Sequence, residues 1–157
     1  MRNKSTPIYF AMAVAFIFLT TAPSLRAQGH GDAIDHLFQA ANIPVTRIGD
    51  DKDVFVVDTG TTKFFFAGGG QDDLIVGFSM FAKDGKFKIN ADSLTAAMKL
   101  NEKLDFVKLC IGKEGNMTLR FERRLSTLDP KEFKFLVDQL INADAEAKKS
   151  LDAYFVK

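Results

Sequence analysis

The stretch FVKLCIGKEGNMTLRFERRL, residues 106–125, determines the fold that the sequence predicts. Apolar and polar residues alternate on both sides of a turn that contains Gly115, a pattern typical of a β-hairpin with one buried face. A three-residue loop over residues 113–115 gives a register that brings the apolar residues of both strands to that face. The predicted buried residues are Val107, Leu109, Ile111, Met117, Leu119, Phe121 and Leu125.

The other face of this hairpin is polar. In the predicted register Cys110 lies opposite Thr118, and Lys108 lies opposite Arg120. Two cations in direct cross-strand contact repel each other unless solvent, a carboxylate or a partner separates them. We interpret this face as a solvated surface and retain a recognition surface as the alternative. The candidate recognition residues are Lys108, Arg120, Glu122 and Arg124.

The elements around this hairpin are predicted from periodicity and from helix end signals. They are a helix over residues 32–42, a hairpin over residues 53–67 that turns at Gly60, a strand over residues 74–81, a helix that begins at Asp92 or Ser93, and a helix that begins at Asp129 and Pro130. The element order α-β-β-β-α-β-β-α predicts an α+β domain in which helices flank an antiparallel sheet.

The hairpin over residues 53–67 lacks the alternation of a sheet with one wet face. Val54, Val56, Phe64 and Phe66 are predicted to lie on one face. Phe55, Val57 and Phe65 are predicted to lie on the other. Because both faces are apolar, we expect the helices to cover one of them and a second copy or a bound partner to cover the other. Coverage of both faces by helices of the same chain is the alternative.

The central helix carries an asparagine among apolar residues. Its predicted inner face consists of Leu94, Ala97, Met98, Asn101 and Leu104. Buried amides are almost always hydrogen-bonded. We therefore predict that Asn101 satisfies backbone groups near the end of this helix.

The first residues have the layout of a secretory signal peptide. Arg2 and Lys4 form a basic start, residues 8–22 carry no charge, and Ala27 is a small residue at a plausible cleavage site. The uncharged stretch is shorter than the roughly 20 residues of a membrane-spanning helix, which favours a cleaved leader over an uncleaved anchor. Cleavage after Ala27 would leave residues 28–157 as a single periplasmic or secreted domain.

Charge and cysteine content exclude several classes of protein. Residues 28–157 carry 18 basic and 20 acidic side chains, a net charge of about −2. This balance gives no reason to expect a nucleic acid, or a membrane after leader cleavage, as a partner. The single cysteine, Cys110, excludes an intramolecular disulfide and a cysteine-based zinc site.

No motif predicts a cofactor or a metal ion. The glycines at residues 68–70 precede a strand and lack the lysine of a phosphate-binding loop. The acidic pairs lack the ligand spacing of a calcium loop. A Cys110–His36 pair is the one catalytic alternative, although no third group clearly orients it.

From Asn101 onward, the run NEKLDFVKLCIGKEGNMTLRFERRL resembles the YbjN family of bacterial sensory-transduction regulators. The features that carry the resemblance are Asn101, Phe106, Lys108, Glu114, Gly115 and the alternating strand over residues 119–122. The resemblance extends over residues 33–155 through the element order. One departure is the stretch of residues 125–128, where members often have a glycine pair.

The YbjN family is similar in architecture to type III secretion chaperones, which are small dimeric proteins that bind extended segments of client proteins. The resemblance therefore implies a type III secretion chaperone-like fold, a homodimer, a protein or peptide client and no catalysis. The predicted export signal is a second departure, because secretion chaperones work in the cytoplasm.

The sequence thus favours an exported, non-enzymatic protein-binding or regulatory domain, with Phe55, Val57 and Phe65 as its predicted contact residues. Two alternatives remain open at this point. One is a small periplasmic hydrolase that uses Cys110 or His36, and the other is a purely structural envelope protein.

Overall fold

A computed structural model of the 157-residue protein describes residues 24–49, 53–69, 73–82, 86–112 and 116–156. Most of the predicted leader, the glycine at residue 70, the acidic residues 50, 51 and 72, and the turns over residues 83–85 and 113–115 lie outside these ranges. Within the described ranges, no helix combines the length and the apolarity that crossing a membrane requires.

The described residues form a six-stranded antiparallel sheet and three α-helices, which confirms the predicted α+β class. The helices are α1 (Ser24–Ala40), α2 (Ala91–Lys103) and α3 (Pro130–Leu151). The strands are β1 (Thr46–Ile48), β2 (Val54–Asp58), β3 (Lys63–Gly68), β4 (Leu74–Ala82), β5 (Lys108–Ile111) and β6 (Met117–Arg124), in the spatial order β1-β2-β3-β4-β6-β5. Strand β1 is absent from the predicted order.

The helix ends explain where the predicted boundaries succeed and fail. The Asp129 side chain accepts a hydrogen bond of 2.8 Å from the backbone N–H of Glu132, as predicted for the start of α3. Helix α2 is capped by Asn90 rather than by Asp92 or Ser93, and Ser93 closes the capping box from inside the helix. Helix α1 begins at Ser24, eight residues before the predicted start.

The centre of the core consists of phenylalanine rings between the helices and the sheet. The ring centroid of Phe38, on α1, lies 5.6 Å from that of Phe55 and 5.2 Å from that of Phe66. It also lies 4.8 Å from the ring centroid of Phe133, on α3. All four rings are fully buried, so these contacts join α1 and α3 to the β2–β3 hairpin.

Gly77 of β4 leaves the space that two further rings occupy. A Cβ atom built at this position would lie 2.5 Å from Cε1 of Phe121 and 2.9 Å from Cε1 of Phe66. The three residues are direct neighbours on adjacent strands. A glycine is required here because a side chain would displace aromatic rings from the core.

A buried carboxylate ties α3 to the sheet. Asp144 is 3% exposed and accepts hydrogen bonds from the hydroxyl groups of Ser79, at 3.3 Å, and Thr62, at 3.1 Å. Lys148, one turn later, forms an ion pair with it at 2.7 Å. The network provides the counter-charge and hydrogen bonds that a buried carboxylate needs.

The predicted faces of the first hairpin are wrong. Val57 pairs with Phe64 and Val56 pairs with Phe65, so Phe55 and Val57 share the helix-covered face with Phe64. The prediction placed Phe55 and Val57 on the same face as Phe65, and Phe64 on the other face. The cause is the four-residue connection between Asp58 and Lys63, which shifts the register by one residue, and a shift of one residue exchanges the two faces of a strand.

Candidate binding site on the open sheet face

All three helices pack against one face of the sheet, the face that carries Phe55, Phe66 and Leu119. We call the opposite face the open face. Its side chains are Val54, Val56, Phe65, Ala67, Leu74, Val76, Phe78, Met80, Lys108, Cys110, Thr118, Arg120, Glu122 and Arg124. The prediction that the first hairpin is apolar on both faces therefore holds, although its members on each face differ from those predicted.

The open-face side chains of β2, β3 and β4 are mainly apolar, and we call them the apolar strip. Phe65 and Phe78 stack in its centre, with ring centroids 5.4 Å apart and an interplanar angle of 22°. Met80 is 50% exposed, and Ile48 of the neighbouring strand β1 is 42% exposed. Of the predicted contact residues, Phe65 belongs to this strip, whereas Phe55 and Val57 lie in the core.

The apolar strip ends where β4 meets β6. Phe78 is the direct neighbour of Arg120, and Arg120 is the direct neighbour of Lys108, as the sequence predicts for the second hairpin. Together with Phe65, these residues form one row across four strands. Because neighbouring strands lie about 4.8 Å apart, Phe65 and Lys108 are separated by about 14 Å.

The polar end of this row opens into a cleft of about 450 Å³, which we call the basic cleft. Its lining residues are Asp105, Phe106, Lys108, Cys110, Arg120, Phe121, Glu122 and Arg123. Three of the four candidate recognition residues therefore line one cavity. The fourth, Arg124, lies on the open face beside Leu74 and does not line the cleft.

Lys108 is held by the end of α2. Its ammonium group donates hydrogen bonds to the backbone carbonyl oxygens of Asn101, at 3.2 Å, and of Leu104. Carbonyl groups at a helix C-terminus lack partners within the helix and carry partial negative charge. Lys108 therefore stabilises α2 and keeps its positive charge at the rim of the cleft.

Asn101 fixes the adjacent strand, as predicted. Its amide nitrogen donates to the carbonyl oxygen of Leu109 at 2.9 Å, and its amide oxygen accepts from the N–H of Leu109 at 2.7 Å. This pair of bonds replaces a neighbouring strand on the outer side of β5. Asn101 and Lys108 thus attach the cleft-forming strand to α2.

The two arginines of the cleft have different surroundings. Arg120 forms an ion pair with Glu122, and both side chains are nearly half exposed. Arg123 places its guanidinium group 5.7 Å from the ring centroid of Phe106 and donates to the backbone oxygen of Glu122 at 2.8 Å. The ring of Phe106 in turn meets Phe135 edge to face at 5.1 Å.

The cleft has more cations than its own carboxylates neutralise. Within the described ranges, neither Lys108 nor Arg123 forms an ion pair with a carboxylate. The lining contains three cations and two carboxylates, Asp105 and Glu122. The cleft therefore presents a local positive charge beside an apolar surface.

The geometry does not support a catalytic pair of Cys110 and His36. Cys110 lies on the open face of β5, whereas His36 is an exposed residue of α1, which packs on the opposite face. The sheet separates the two side chains. The one hydrogen-bond partner of the Cys110 thiol within the described ranges is the carbonyl oxygen of Lys108, at 3.9 Å.

No buried polar atom points to a hidden site. In the described part of the chain, every buried side-chain nitrogen or oxygen has a hydrogen-bond partner. The same residues contain no cluster of three or more histidine, cysteine, aspartate or glutamate side chains that could hold a metal ion.

Sequence reasoning missed the role of Arg123 in the cleft. Strict alternation places Arg123 on the helix-covered face, opposite Ile75, and its long side chain reaches the cleft by extending over Phe106. The signal was present in the sequence, because an arginine at an inward position near a strand end must extend towards solvent.

Comparisons with solved structures show similar folds. The chain matches YbjN from E. coli with 11% identity and a TM-score of 0.55, over 80% of this chain and 95% of that one. It matches a chain of the HopA1–SchA chaperone–effector complex with 14% identity and a TM-score of 0.55, over 75% and 91% of the two chains.

The type III secretion chaperone SycH of Yersinia pestis, solved in complex with a stable fragment of YscM2, also matches. The identity is 8% and the TM-score 0.53, over 74% of this chain and 98% of that one. At these identities the likeness shows the fold alone, and it agrees with the architecture that the sequence predicts.

None of the curated proteins matches the chain. The model of the YbjN family, described as "Putative bacterial sensory transduction regulator", matches residues 30–148. This range contains all six strands, α2 and most of α1 and α3. The chain belongs to the YbjN family.

Proposed function

We propose that this protein is an exported, non-enzymatic domain that binds an apolar segment of a client protein on the open face of its sheet. The observation that carries this proposal is the apolar strip, in which the partly exposed Phe65 and Phe78 and the half-exposed Met80 lie on the sheet face opposite the three described helices. Apolar surface contributes about 25 cal/mol for each Å² removed from water. A client segment that covers the strip would therefore be stabilised without many specific polar contacts.

The similar folds support a protein client. SycH and the HopA1–SchA pair were both solved as complexes of a chaperone with another protein. The family description, which names sensory transduction, is compatible with a domain that acts through binding.

We also infer a homodimer and place its contact on α2. Leu94 and Met98 lie one turn apart on this helix and are 39% and 68% exposed. Ile111, at the end of the neighbouring strand β5, is 36% exposed. The sequence predicted that Leu94, Ala97 and Met98 all face inwards, but of these only Ala97 is buried, together with Ser93 and Leu100.

Selection of peptides tests the proposed client site. A library of random 12-residue peptides displayed on phage is panned against the purified protein, and the enriched peptides are expected to be rich in apolar residues. Their binding, measured by fluorescence polarisation, should weaken at least 10-fold in Phe78→Ser and in Phe65→Ser, because each change removes one ring of the stacked pair.

Ile89→Ser is the matched control, because Ile89 is 50% exposed and lies outside the sheet. Circular dichroism must show an unchanged fold for all three variants. Failure to enrich any peptide, or equal binding by the two open-face variants and the wild type, would contradict the proposed function.

A further inference from the structure

We propose that the basic cleft binds a carboxylate of the client, so that the preferred client segment combines apolar residues with an aspartate or glutamate a few residues away. This inference rests on the proposed function and adds the chemistry of the partner. Three observations carry it: the position of the cleft, two cations that form no ion pair within the described residues, and the contacts that position Arg123.

The position of the cleft allows one segment to reach both regions. Phe78 is the direct neighbour of Arg120, so the apolar strip and the cleft share a boundary. The distance from the Phe65–Phe78 pair to the space between Arg120 and Lys108 is two strand spacings, or about 10 Å. An extended chain that crosses the strands covers this distance in about three residues.

The charge of the cleft selects an anion. The hydrogen bonds of Lys108 go to neutral carbonyl groups rather than to a carboxylate, and Arg123 donates to a neutral carbonyl as well. Arg120 is paired with Glu122, but both side chains are nearly half exposed, so the pair can admit a second carboxylate. The net charge of residues 28–157 is about −2, so an attraction for acidic peptides would have to arise locally rather than from the whole molecule.

Aromatic contacts position the guanidinium group of Arg123. The guanidinium group of Arg123 lies over the ring of Phe106, which in turn contacts Phe135 edge to face. Guanidinium groups bind carboxylates with two parallel hydrogen bonds because their planar fork of donors matches the two carboxylate oxygens. Arg123 is therefore oriented before a client arrives, and less conformational entropy is lost when the carboxylate binds.

The test uses the peptides that panning enriches on the wild-type protein. We expect these peptides to carry an acidic residue about three positions from their apolar residues. Replacement of that acid by its amide, Glu to Gln or Asp to Asn, should weaken binding 10-fold to 100-fold, the range for a hydrogen bond between charged groups.

Protein variants locate the contact. In Arg123→Gln and in Arg120→Gln, the acidic and the amide peptides should bind with affinities that differ less than threefold. Arg124→Gln is the matched control, because Arg124 is a cation of the same face that does not line the cleft. This control should retain the full preference for the acid.

The outcomes separate the inference from the proposed function. Apolar peptides that bind the open face without any preference for an acid would overturn the inference and leave the proposed function intact. An equal loss of preference in Arg124→Gln would also overturn it, because the attraction would then come from the diffuse charge of the surface. Enriched peptides whose binding does not depend on Phe65 or Phe78 would contradict the proposed function itself.

Discussion

At the scale of single residues, the polar side chains around β5 act on the backbone. Lys108 binds two carbonyl groups at the C-terminal end of α2, those of Asn101 and Leu104, and Asn101 binds both backbone groups of Leu109. The amide of Asn101 is the better site for an experiment, because its replacement changes no charge in the cleft.

We expect Asn101→Ala to destabilise the protein by about 1–3 kcal/mol, because the N–H and C=O groups of Leu109 lose their partners. Urea unfolding followed by circular dichroism measures this change. Gln39→Ala is the control: Gln39 is an exposed amide on α1 that binds Asp35, and its loss should change the free energy of unfolding by no more than about 0.5 kcal/mol. Equal effects of the two substitutions would show that the Asn101 hydrogen bonds stabilise the protein no more than the exposed hydrogen bond of Gln39 does.

At the scale of elements, the two hairpins show how far sequence patterns predict structure. The hairpin over residues 106–125 alternates apolar and polar residues, so its register and most of its buried face were predicted correctly. Ile111 is the exception: it was predicted to be buried but is 36% exposed at the end of β5. The two strand segments of the hairpin over residues 53–67 are apolar at every position from 54 to 57 and from 64 to 67, so the pattern carries no information about its faces. Its register depends on the connection between Asp58 and Lys63, in which Gly60 adopts a φ of +82° and Asp58 accepts a hydrogen bond from its N–H.

The same reasoning explains what was missed in the candidate site. The polar half, Lys108, Arg120 and Glu122, follows from alternation. The apolar half does not, and two of its three predicted members, Phe55 and Val57, belong to the core. Strand β1 has three residues, too few for a periodic pattern to be recognised.

The exposed face of α2 leads to the prediction for dimerisation. Met98→Glu should convert a dimer of the wild type into a monomer, because it places a charge at the centre of the proposed contact. Sedimentation velocity measures the mass, and circular dichroism checks the fold. Met80→Glu serves as the control, since Met80 is also an exposed methionine but lies on the open face, and this variant should remain dimeric. A monomeric wild type would contradict the proposed dimer.

At the scale of the whole molecule, the prediction concerns export. Helix α1 begins at Ser24, so cleavage after Ala27 would remove its first four residues and leave its buried residues, Ile34, Leu37 and Phe38, in place. The processed protein should therefore keep the core intact.

We expect mass spectrometry of the protein purified from its own host to show Gln28, or its cyclised form, at the N-terminus. Ala27→Arg should block this cleavage, because a large charged residue does not fit the small-residue preference of the cleavage site. Recovery of the intact wild-type chain in the membrane fraction would favour an uncleaved anchor and contradict the proposed processing.

The bonds between Asn101 and Leu109 also limit how the molecule can associate with other copies. A sheet with two free edges can be extended indefinitely by strand addition, as in fibrils. Here the outward backbone groups of Leu109, in the four-residue edge strand β5, are already occupied. Strand addition without displacement of Asn101 is confined to the short edge β1, and growth from a single edge ends after one pairing. The polar contact that builds the cleft thus also makes assembly through the sheet self-terminating.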